Sequence, residues 1–398
     1  MRVFWVTNVL PHPAGAGAAT LEFELIQALA PRHDIHVVSS APPTDLDADA
    51  VLATGARLTM VECRRRAHPT TKLGVATALL RARPSLAVWL GRDQVPQLAG
   101  AVARLGEEAP PDVVQITRGE LADLAWRVTY PTGVLLFDAM TRALRNRLAV
   151  EPLARRRAQL RLESRRTLRF ERRWYPRAGG LTAVSPIDAA WLTAELGLPV
   201  EVIESPIADR FFAPAKRPRS PNVVTFVGSL DHRPNVDAII WLATAIWPLV
   251  VGRRPDAQLV VVGRGDHEGV AAASIRPIVQ AAGGRLDANV PDILPYYWES
   301  AVVTAPLREG SGMRTKVLHA LATGTPLVAT PVALEGVPGA EHAWPATTAE
   351  GLADAIVGVL DDVAGAGVRA ARALDDVEAL RVERIAERHE RWWLSIAR

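Results

Sequence analysis

The sequence predicts an α/β protein built from two parallel-sheet domains. Three observations support this prediction: a length of 398 residues, short apolar runs that alternate with helical patterns, and a proline-rich stretch near the middle of the chain. The apolar runs are nearly continuous, which indicates strands covered on both faces. We expect a first domain over 1–205, a linker over 206–222 and a second domain over 223–379.

The composition is that of an ordinary globular protein, with 49% hydrophobic and 22% charged residues. The single cysteine, Cys63, excludes an internal disulfide framework and fits a reducing compartment, so we expect a cytoplasmic protein. The first apolar run is short and is cut by Pro11. It therefore predicts a buried strand rather than a signal peptide or a transmembrane segment.

The first domain opens with a strand, a glycine loop, a helix and a second strand. The loop holds His12, Gly15 and Gly17, but the third glycine of a dinucleotide fingerprint is absent. The second strand ends in Ser39-Ser40 rather than in an acidic residue that would hold a ribose. NAD binding is therefore disfavoured.

The predicted strands of the whole chain are 3–7, 35–39, 58–61, 112–116, 134–137, 181–184, 201–203, 223–227, 259–262, 302–305 and 327–329. The predicted helices include 21–29, 70–83, 94–105, 120–128, 187–196 and 318–323.

Asp138 follows the strand 134–137 directly. An acidic residue at the carboxyl end of a parallel strand is a candidate site residue. The alternative is that its carboxylate caps the helix that follows.

The segment 142–177 contains 13 arginines and three glutamates. Arg161, Arg165, Arg169 and Arg172 share one helical face, and an apolar face formed by Leu153, Leu160, Leu168 and Trp174 is expected opposite. Nucleic acid is disfavoured, because no aromatic-interleaved or recognition-helix pattern accompanies the arginines. The remaining interpretations are an anionic membrane surface or acidic protein as partner, and a solvated face.

The stretch 306–336 predicts a strand, a turn, a helix and a strand around the main candidate site. Gly310-Ser311-Gly312 removes side-chain bulk before the helix, so that backbone N–H groups can approach an anion. Arg314 and Lys316 add two cations. This pattern favours a diphosphate site, although glycine turns between strands and helices are also common without ligands.

Four segments in register, FVGSLDHRPNVDAIIWL, LVVVGRG, VPDILPYY and the stretch 306–336, resemble the C-terminal half of retaining family 4 glycosyltransferases of the GT-B fold. The resemblance is close over 222–336 and loose in the first half. It implies two Rossmann-like parallel-sheet domains facing a cleft, with a last helix of about 380–398 that packs back on the first domain.

The resemblance also implies roles for individual residues. Arg314, Lys316, Glu309 and Asp138 are the expected catalytic residues. Donor binding is expected at Gly15, Gly17, Ser229, Gly310, Ser311, Gly312, Met313 and His319, and an acceptor contact at His12. Further acceptor contacts are expected at Arg161, Arg165 and Arg169, on the charge of the arginine face rather than on the resemblance. The implied reaction transfers a sugar from a nucleotide-diphosphate sugar such as a UDP-sugar, with retention and with neither metal nor cofactor.

His319 departs from the family pattern, which has a glutamate there to bind the ribose. A neutral imidazole accepts through one nitrogen only, whereas a carboxylate can accept from both ribose hydroxyls. His319 therefore keeps a nucleotide-binding pseudo-enzyme open as an alternative to the transferase. A second alternative is a nucleotide-sugar 2-epimerase, an enzyme class that shares the fold. The acceptor is expected to be an anionic lipid, a carrier-bound group or a small aglycone, with peripheral membrane contact, in bacterial glycoconjugate or natural-product biosynthesis.

Overall fold

The structure is a computed structural model that describes residues 1–13, 17–40, 48–63, 94–265, 270–310, 312 and 314–398, with the backbone alone at 270–272. The chain divides into two compact units. The first unit comprises Met1–Ser205, Ser311–Met313 and Ile385–Arg398, and the second comprises Pro206–Gly310 and Arg314–Arg384. Each unit is built around a parallel sheet, which confirms the predicted α/β class.

The first unit contains a seven-stranded sheet in which all neighbouring strands are parallel. Its strands are β1 (Arg2–Thr7), β2 (Asp34–Ser39), β3 (Arg57–Met60), β4 (Val113–Thr117), β5 (Thr132–Leu136), β6 (Gly180–Ala183) and β7 (Glu201–Val202). Their order is β3-β2-β1-β4-β5-β6-β7. The chain runs outward from β1 and returns to β4 on its other side, so the switch point of the sheet lies between β1 and β4.

The helices of the first unit join successive parallel strands. They are α1 (Ala18–Leu29), α2 (Asp49–Leu52), α3 (Gln94–Glu108), α4 (Met140–Val150), α5 (Ala154–Trp174) and α6 (Pro186–Leu196), with 3₁₀ turns at Gly119–Trp126 and Tyr175–Arg177. The predicted helix 120–128 is thus a 3₁₀ segment. The predicted helix 70–83 lies outside the described residues.

The prediction for the inner face of α5 was partly wrong. Leu160 is buried, but Leu153 is 53% exposed, and the inner face also buries polar residues such as Glu171. The carboxylate of Glu171 accepts hydrogen bonds from the N–H and hydroxyl of Thr141, at 3.2 and 2.5 Å. These bonds satisfy the first turn of α4, a role that a hydrophobic periodicity cannot reveal.

The second unit contains a six-stranded parallel sheet. Its strands are β8 (Val223–Val227), β9 (Gln258–Gly263), β10 (Arg285–Ala288), β11 (Val302–Ala305), β12 (Leu327–Ala329) and β13 (Trp344–Pro345). Their order, β10-β9-β8-β11-β12-β13, places the switch point between β8 and β11. The edge strands β10 and β13 were not predicted, because both are short and lack an apolar run.

The remaining helices are α7 (Arg233–Trp241), α8 (Trp247–Val251), α9 (Val270–Ala281), α10 (Leu294–Glu299), α11 (Thr315–Ala322), α12 (Pro331–Leu334), α13 (Ala349–Asp361), α14 (Val363–Ala371), α15 (Ala373–Val377) and α16 (Val382–Ile396). A π-helical segment, Leu242–Ile246, joins α7 to α8, and 3₁₀ turns lie at Asp209–Phe212, Ala340–His342 and Glu378–Leu380.

One described helical stretch, Arg233–Val251, is long and apolar enough to cross a bilayer by length and composition, with a mean hydropathy of 1.5. Part of it packs into the core of the second unit, where Ile239 and Ile246 are fully buried. Asp237 in the same stretch forms an ion pair with Arg308 at 2.5 Å. We therefore interpret this stretch as a core helix.

Most of α16 packs against the sheet of the first unit. The indole of Trp393 donates a hydrogen bond to Gln115 Oε1 in β4 at 2.5 Å. A Cβ at Gly133 in β5 would lie 2.6 Å from the ring of Trp392. Glycine at this position therefore makes room for the tryptophan.

Candidate active site

The main candidate site lies at the carboxyl edge of the second sheet. After β11 the chain passes through Glu309 and Gly310 and enters α11 at Thr315. The helix is followed by Gly324, whose φ of 60° is a left-handed conformation that favours glycine. Because β11 borders the switch point, this loop lies where doubly wound sheets bind ligands.

Lys316 is the central cation of the site. Its Nζ donates to Asn235 Oδ1 at 2.5 Å and lies 4.4 Å from the centroid of the Phe226 ring. Burial and the nearby cation of Arg314 lower the pKa of Lys316 to about 7. Among the described residues no carboxylate forms an ion pair with this ammonium group. A bound phosphate would supply the counter-charge.

The loop after β8 holds Lys316 in place. Asn235, at the start of α7, also donates through Nδ2 to the carbonyl of Ser229 at 2.9 Å. A Cβ at Gly228 would lie 2.7 Å from Lys316 Nζ, so glycine leaves room for the ammonium group. Asn235 was not predicted from the sequence. Its place in the first turn of the helix that follows β8 is the signal that could have predicted it.

Arg314 is 7% exposed and lies beside the same loop. Its Nη2 donates to the carbonyl of Val332 at 3.3 Å. A Cβ at Gly310 would lie 3.2 Å from Nη2, and Gly310 has a φ of +147°. Glycine at this position thus allows the guanidinium to pack against the backbone.

The structure describes only part of the predicted anion-binding turn, Gly310-Ser311-Gly312. Gly312 is grouped with the first unit, where its N–H donates to Asp188 Oδ2 at 3.0 Å. This amide therefore has a protein acceptor. Ser311 and Met313 lie outside the described residues.

Glu309 offers an acceptor beside the cations. Its Oε1 lies 3.2 Å from Arg233 Nη1, whereas Oε2 is buried without a hydrogen-bond partner among the described residues. The side chain of Glu309 is 9% exposed. One oxygen is thus fixed by an arginine, and the other can accept from a sugar hydroxyl.

His319 lies in an aromatic cluster of the second unit. Its ring stacks on Phe211 with centroids 3.6 Å apart, and it meets the edge of Tyr297 at 5.9 Å. Burial, together with the cation of Arg210, lowers the pKa of His319 to about 3, so the imidazole is neutral at physiological pH. Its Nε2 is buried and finds no hydrogen-bond partner in the described part of the chain.

The other predicted site residues belong to the first unit. Asp138 is half-buried after β5, and the N-cap of α4 is Ala139 without a side-chain hydrogen bond. Asp138 thus lies one position before the N-cap of α4. The N–H of His12 donates to the carbonyl of Ala19 at 3.1 Å, and Gly17 precedes α1 with a φ of 46°. Gly15 lies outside the described residues.

The predicted arginine face of α5 is exposed. Arg161, Arg165 and Arg169 all lie in solvent, and Leu162 beside them is 41% exposed. The exposed arginines of the helix are Arg155, Arg156, Arg157, Arg161, Arg165, Arg169, Arg172 and Arg173. Of these, only Arg172 forms an ion pair within the described residues, with Glu195 at 3.4 Å.

Among the described residues, the side chains of Glu341, His342 and Asp376 lie close enough together to share a metal ion. Glu341 and Asp376 are exposed, and His342 Nε2 lies 3.1 Å from Asp376 Oδ2. A histidine–carboxylate pair explains this arrangement without an ion.

Most of the second unit matches a known protein family. Residues 221–362 match the family model described as glycosyl transferases group 1. The match covers the second unit only. For this part of the chain it confirms the resemblance predicted from the four sequence segments.

The relatives agree with this assignment. The phosphatidyl-myo-inositol mannosyltransferase of Mycolicibacterium smegmatis is 28% identical over 229 residues, which cover 54% of this chain and 54% of that protein. The chain thus matches about half the length of this curated relative.

Solved structures show the fold. Sucrose-phosphate synthase from Thermosynechococcus elongatus has a TM-score of 0.71 at 18% identity, covering 99% of this chain and 98% of that one. HepE of Anabaena in complex with UDP has a TM-score of 0.66 at 14% identity, covering 99% and 100%. The chain has the GT-B fold.

Proposed function

We propose that this protein is a glycosyltransferase that uses a nucleotide-diphosphate sugar, most simply a UDP-sugar, as its donor. The observation that carries the proposal is the pair of buried cations, Arg314 and Lys316, at the switch point of the second sheet. When the bond between the sugar and the diphosphate breaks, negative charge develops on a phosphate oxygen. Preorganised cations stabilise that charge. UDP is bound by the similar Anabaena structure, which supports this choice of nucleotide.

We propose retention of anomeric configuration and independence from metal ions. Retention is implied by the resemblance to family 4 enzymes. Arg314 and Lys316 supply two positive charges, which is the electrostatic role that a divalent cation fills in other transferases. Glu309, with its buried Oε2, is suited to hold a sugar hydroxyl while the bond to the diphosphate breaks.

The proposed acceptor is carried on an anionic surface, most simply a lipid membrane. The support is the row of exposed arginines on α5, together with the exposed side chains of Leu153 and Leu162. Basic and apolar residues side by side are typical of helices that lie at a membrane interface. A relative named for a phosphatidylinositol substrate agrees with a lipid acceptor.

The test is to incubate the protein with a panel of UDP- and GDP-sugars and to measure release of the nucleoside diphosphate, with and without EDTA. We expect slow release from one donor, unchanged by EDTA, and a sugar product whose anomeric coupling matches that of the donor by NMR. Tight binding of UDP without release would instead support a pseudo-enzyme. Conversion of the donor sugar to its 2-epimer would identify an epimerase.

A further inference from the structure

Arg118 has an unusual backbone conformation directly after β4. Its φ is 80° and its ψ is 131°, and among the described residues only Asn289 shares a positive φ without being glycine. Asparagine adopts left-handed conformations readily, whereas arginine does not. The conformation of Arg118 is held by its N–H, which donates to the carbonyl of Leu135 in β5 at 2.9 Å. Backbone strain of this kind persists where the surrounding fold enforces it, and it is concentrated at functional sites.

The side chain of Arg118 faces a buried carboxylate without a hydrogen bond to it. Arg118 Nε lies 4.0 Å from Glu22 Oε1 on α1, and Nε is buried without a hydrogen-bond partner. Within the described residues the guanidinium donates no hydrogen bond at all. The side chain is nevertheless 27% exposed, so part of it reaches solvent.

Glu22 is fully occupied by other donors. Its carboxylate accepts from Trp5 Nε1 at 3.1 Å, from Thr7 Oγ1 at 3.3 Å and from Thr117 Oγ1 at 3.0 Å. Burial raises the pKa of Glu22, and the cation of Arg118 opposes that shift. The carboxylate thus provides an electrostatic anchor for Arg118 but leaves the donors of the guanidinium available.

The position of Arg118 in the sheet points to a ligand. It follows β4 at the carboxyl end, and β4 pairs with β1 at the switch point of the first sheet. Ligands of open α/β sheets bind outside the carboxyl ends of the strands at this point. A guanidinium fork with free donors matches the planar pair of oxygens on a phosphate or a carboxylate.

We propose that Arg118 binds an anionic group, a phosphate or a carboxylate, of the sugar acceptor at the switch point of the first sheet. That this anion belongs to the sugar acceptor rests on the proposed glycosyltransferase function, but the anion site itself does not. The strained backbone of Arg118 orients its side chain toward the ligand. Arg118 is also the counter-charge of Glu22, so a neutral residue in its place would leave a buried carboxylate without a cation.

The experiment uses the full chain carrying Arg314→Ala and Lys316→Ala, so that the cations of the second unit do not contribute. Calorimetric titrations with inorganic phosphate, glucose 6-phosphate, glycerophosphoglycerol and acetate are compared for this parent and for the same protein with Arg118→Gly or Arg118→Lys. Asn289→Gly is the matched control, since it also replaces a positive-φ residue. Glycerol tests for binding that does not need charge.

We expect at least a tenfold weaker affinity for the preferred anion in Arg118→Gly, equivalent to about 1.4 kcal/mol, and an intermediate affinity in Arg118→Lys. Asn289→Gly should bind as the parent does. Preference for glucose 6-phosphate would indicate a soluble phosphomonoester acceptor, and preference for glycerophosphoglycerol a lipid head group. Arg118→Gly relieves the backbone strain but leaves buried Glu22 without its counter-charge, so melting temperatures are compared with Arg118→Lys, which keeps the charge.

Two results would overturn the inference. One is that Arg118→Gly stays folded and binds the anion with unchanged affinity. The other is a large drop in melting temperature that Arg118→Lys restores while neither variant differs in anion affinity, because that pattern belongs to a structural ion pair with Glu22. Neither result depends on turnover, so a failure here is distinct from an absence of sugar transfer.

Discussion

The two sheets share a topology, yet the cations at their switch points are balanced in different ways. In the first unit Arg118 faces the buried carboxylate of Glu22 at 4.0 Å. In the second unit Lys316 faces the neutral amide of Asn235, and its pKa falls to about 7. A charge that the protein itself balances can be kept without ligand, whereas Lys316 lacks such a partner. The second site is therefore the one built to bind the more highly charged group, a diphosphate.

The largest expected effect is loss of turnover when a cation of the second unit is removed. Arg314→Ala and Lys316→Ala should each lower turnover by about 10²–10³, the range seen when one transition-state donor is lost. Arg314→Lys should also be impaired, because a point charge does not replace a planar fork. Steady-state release of nucleoside diphosphate measures the effect. Wild-type rates in both alanine variants would end the diphosphate assignment.

The second expectation concerns the proton on Lys316. A lysine in the unfolded chain titrates near 10.5, but the folded pKa is about 7. Between these values the unfolded chain binds a proton that the folded chain does not, so the free energy of unfolding should rise with pH from about 7 to 10.5. The slope from this group is at most about 1.4 kcal/mol per pH unit.

Chemical denaturation at several pH values measures that slope, with Lys316→Met as the variant that removes it. The same lysine should take up a proton when UDP binds near pH 8, since a diphosphate raises its pKa. Calorimetry in two buffers of different ionisation enthalpy detects this uptake. Equal slopes in wild type and Lys316→Met would show that the lysine is solvated rather than buried.

The third expectation separates packing from binding at His319. His319→Phe keeps the stack on Phe211, so its melting temperature should stay close to that of the wild type. If the imidazole accepts from the nucleotide, loss of one hydrogen bond should weaken UDP binding by about 0.5–1.5 kcal/mol. His319→Glu should melt earlier, because it buries a carboxylate among aromatic rings. Unchanged UDP affinity in His319→Phe would make His319 a core residue only.

The smallest effect is expected on α5. Arg165→Glu with Arg169→Glu should weaken binding to vesicles that contain phosphatidylglycerol, at about 1 kcal/mol per arginine removed, and added salt should mimic the variant. Arg372→Glu with Arg391→Glu is the control of equal charge, since both residues are exposed elsewhere. Co-sedimentation measures binding. Equal binding of both double variants would return the arginine face to a solvated surface.

The sequence predicted the core of both sheets because buried parallel strands are recorded locally as apolar runs. The strands Val223–Val227, Val302–Ala305 and Leu327–Ala329 match the predicted bounds. Edge strands such as Trp344–Pro345 carry no such run and were overlooked. Arg314, Lys316 and Glu309 stood out because they share one short stretch, which the structure places at a switch point.

The features that were not predicted depend on contacts between residues far apart in the chain. Asn235 meets Lys316 across 81 positions, and no local pattern records that hydrogen bond. The positive φ of Arg118 is likewise imposed by the neighbouring strand. His319 was recognised as a departure from the family, but its stack on Phe211 comes from a turn that reads as linker in the sequence.

The most direct test of the central claim is calorimetric titration of UDP into the wild type, Arg314→Ala/Lys316→Ala and Arg118→Gly. If the buried cations Arg314 and Lys316 form the diphosphate site, the wild type binds UDP and the double variant loses at least a hundredfold in affinity, about 2.7 kcal/mol. Arg118→Gly should lose far less than the double variant. UDP affinity that survives in folded Arg314→Ala/Lys316→Ala would contradict the account.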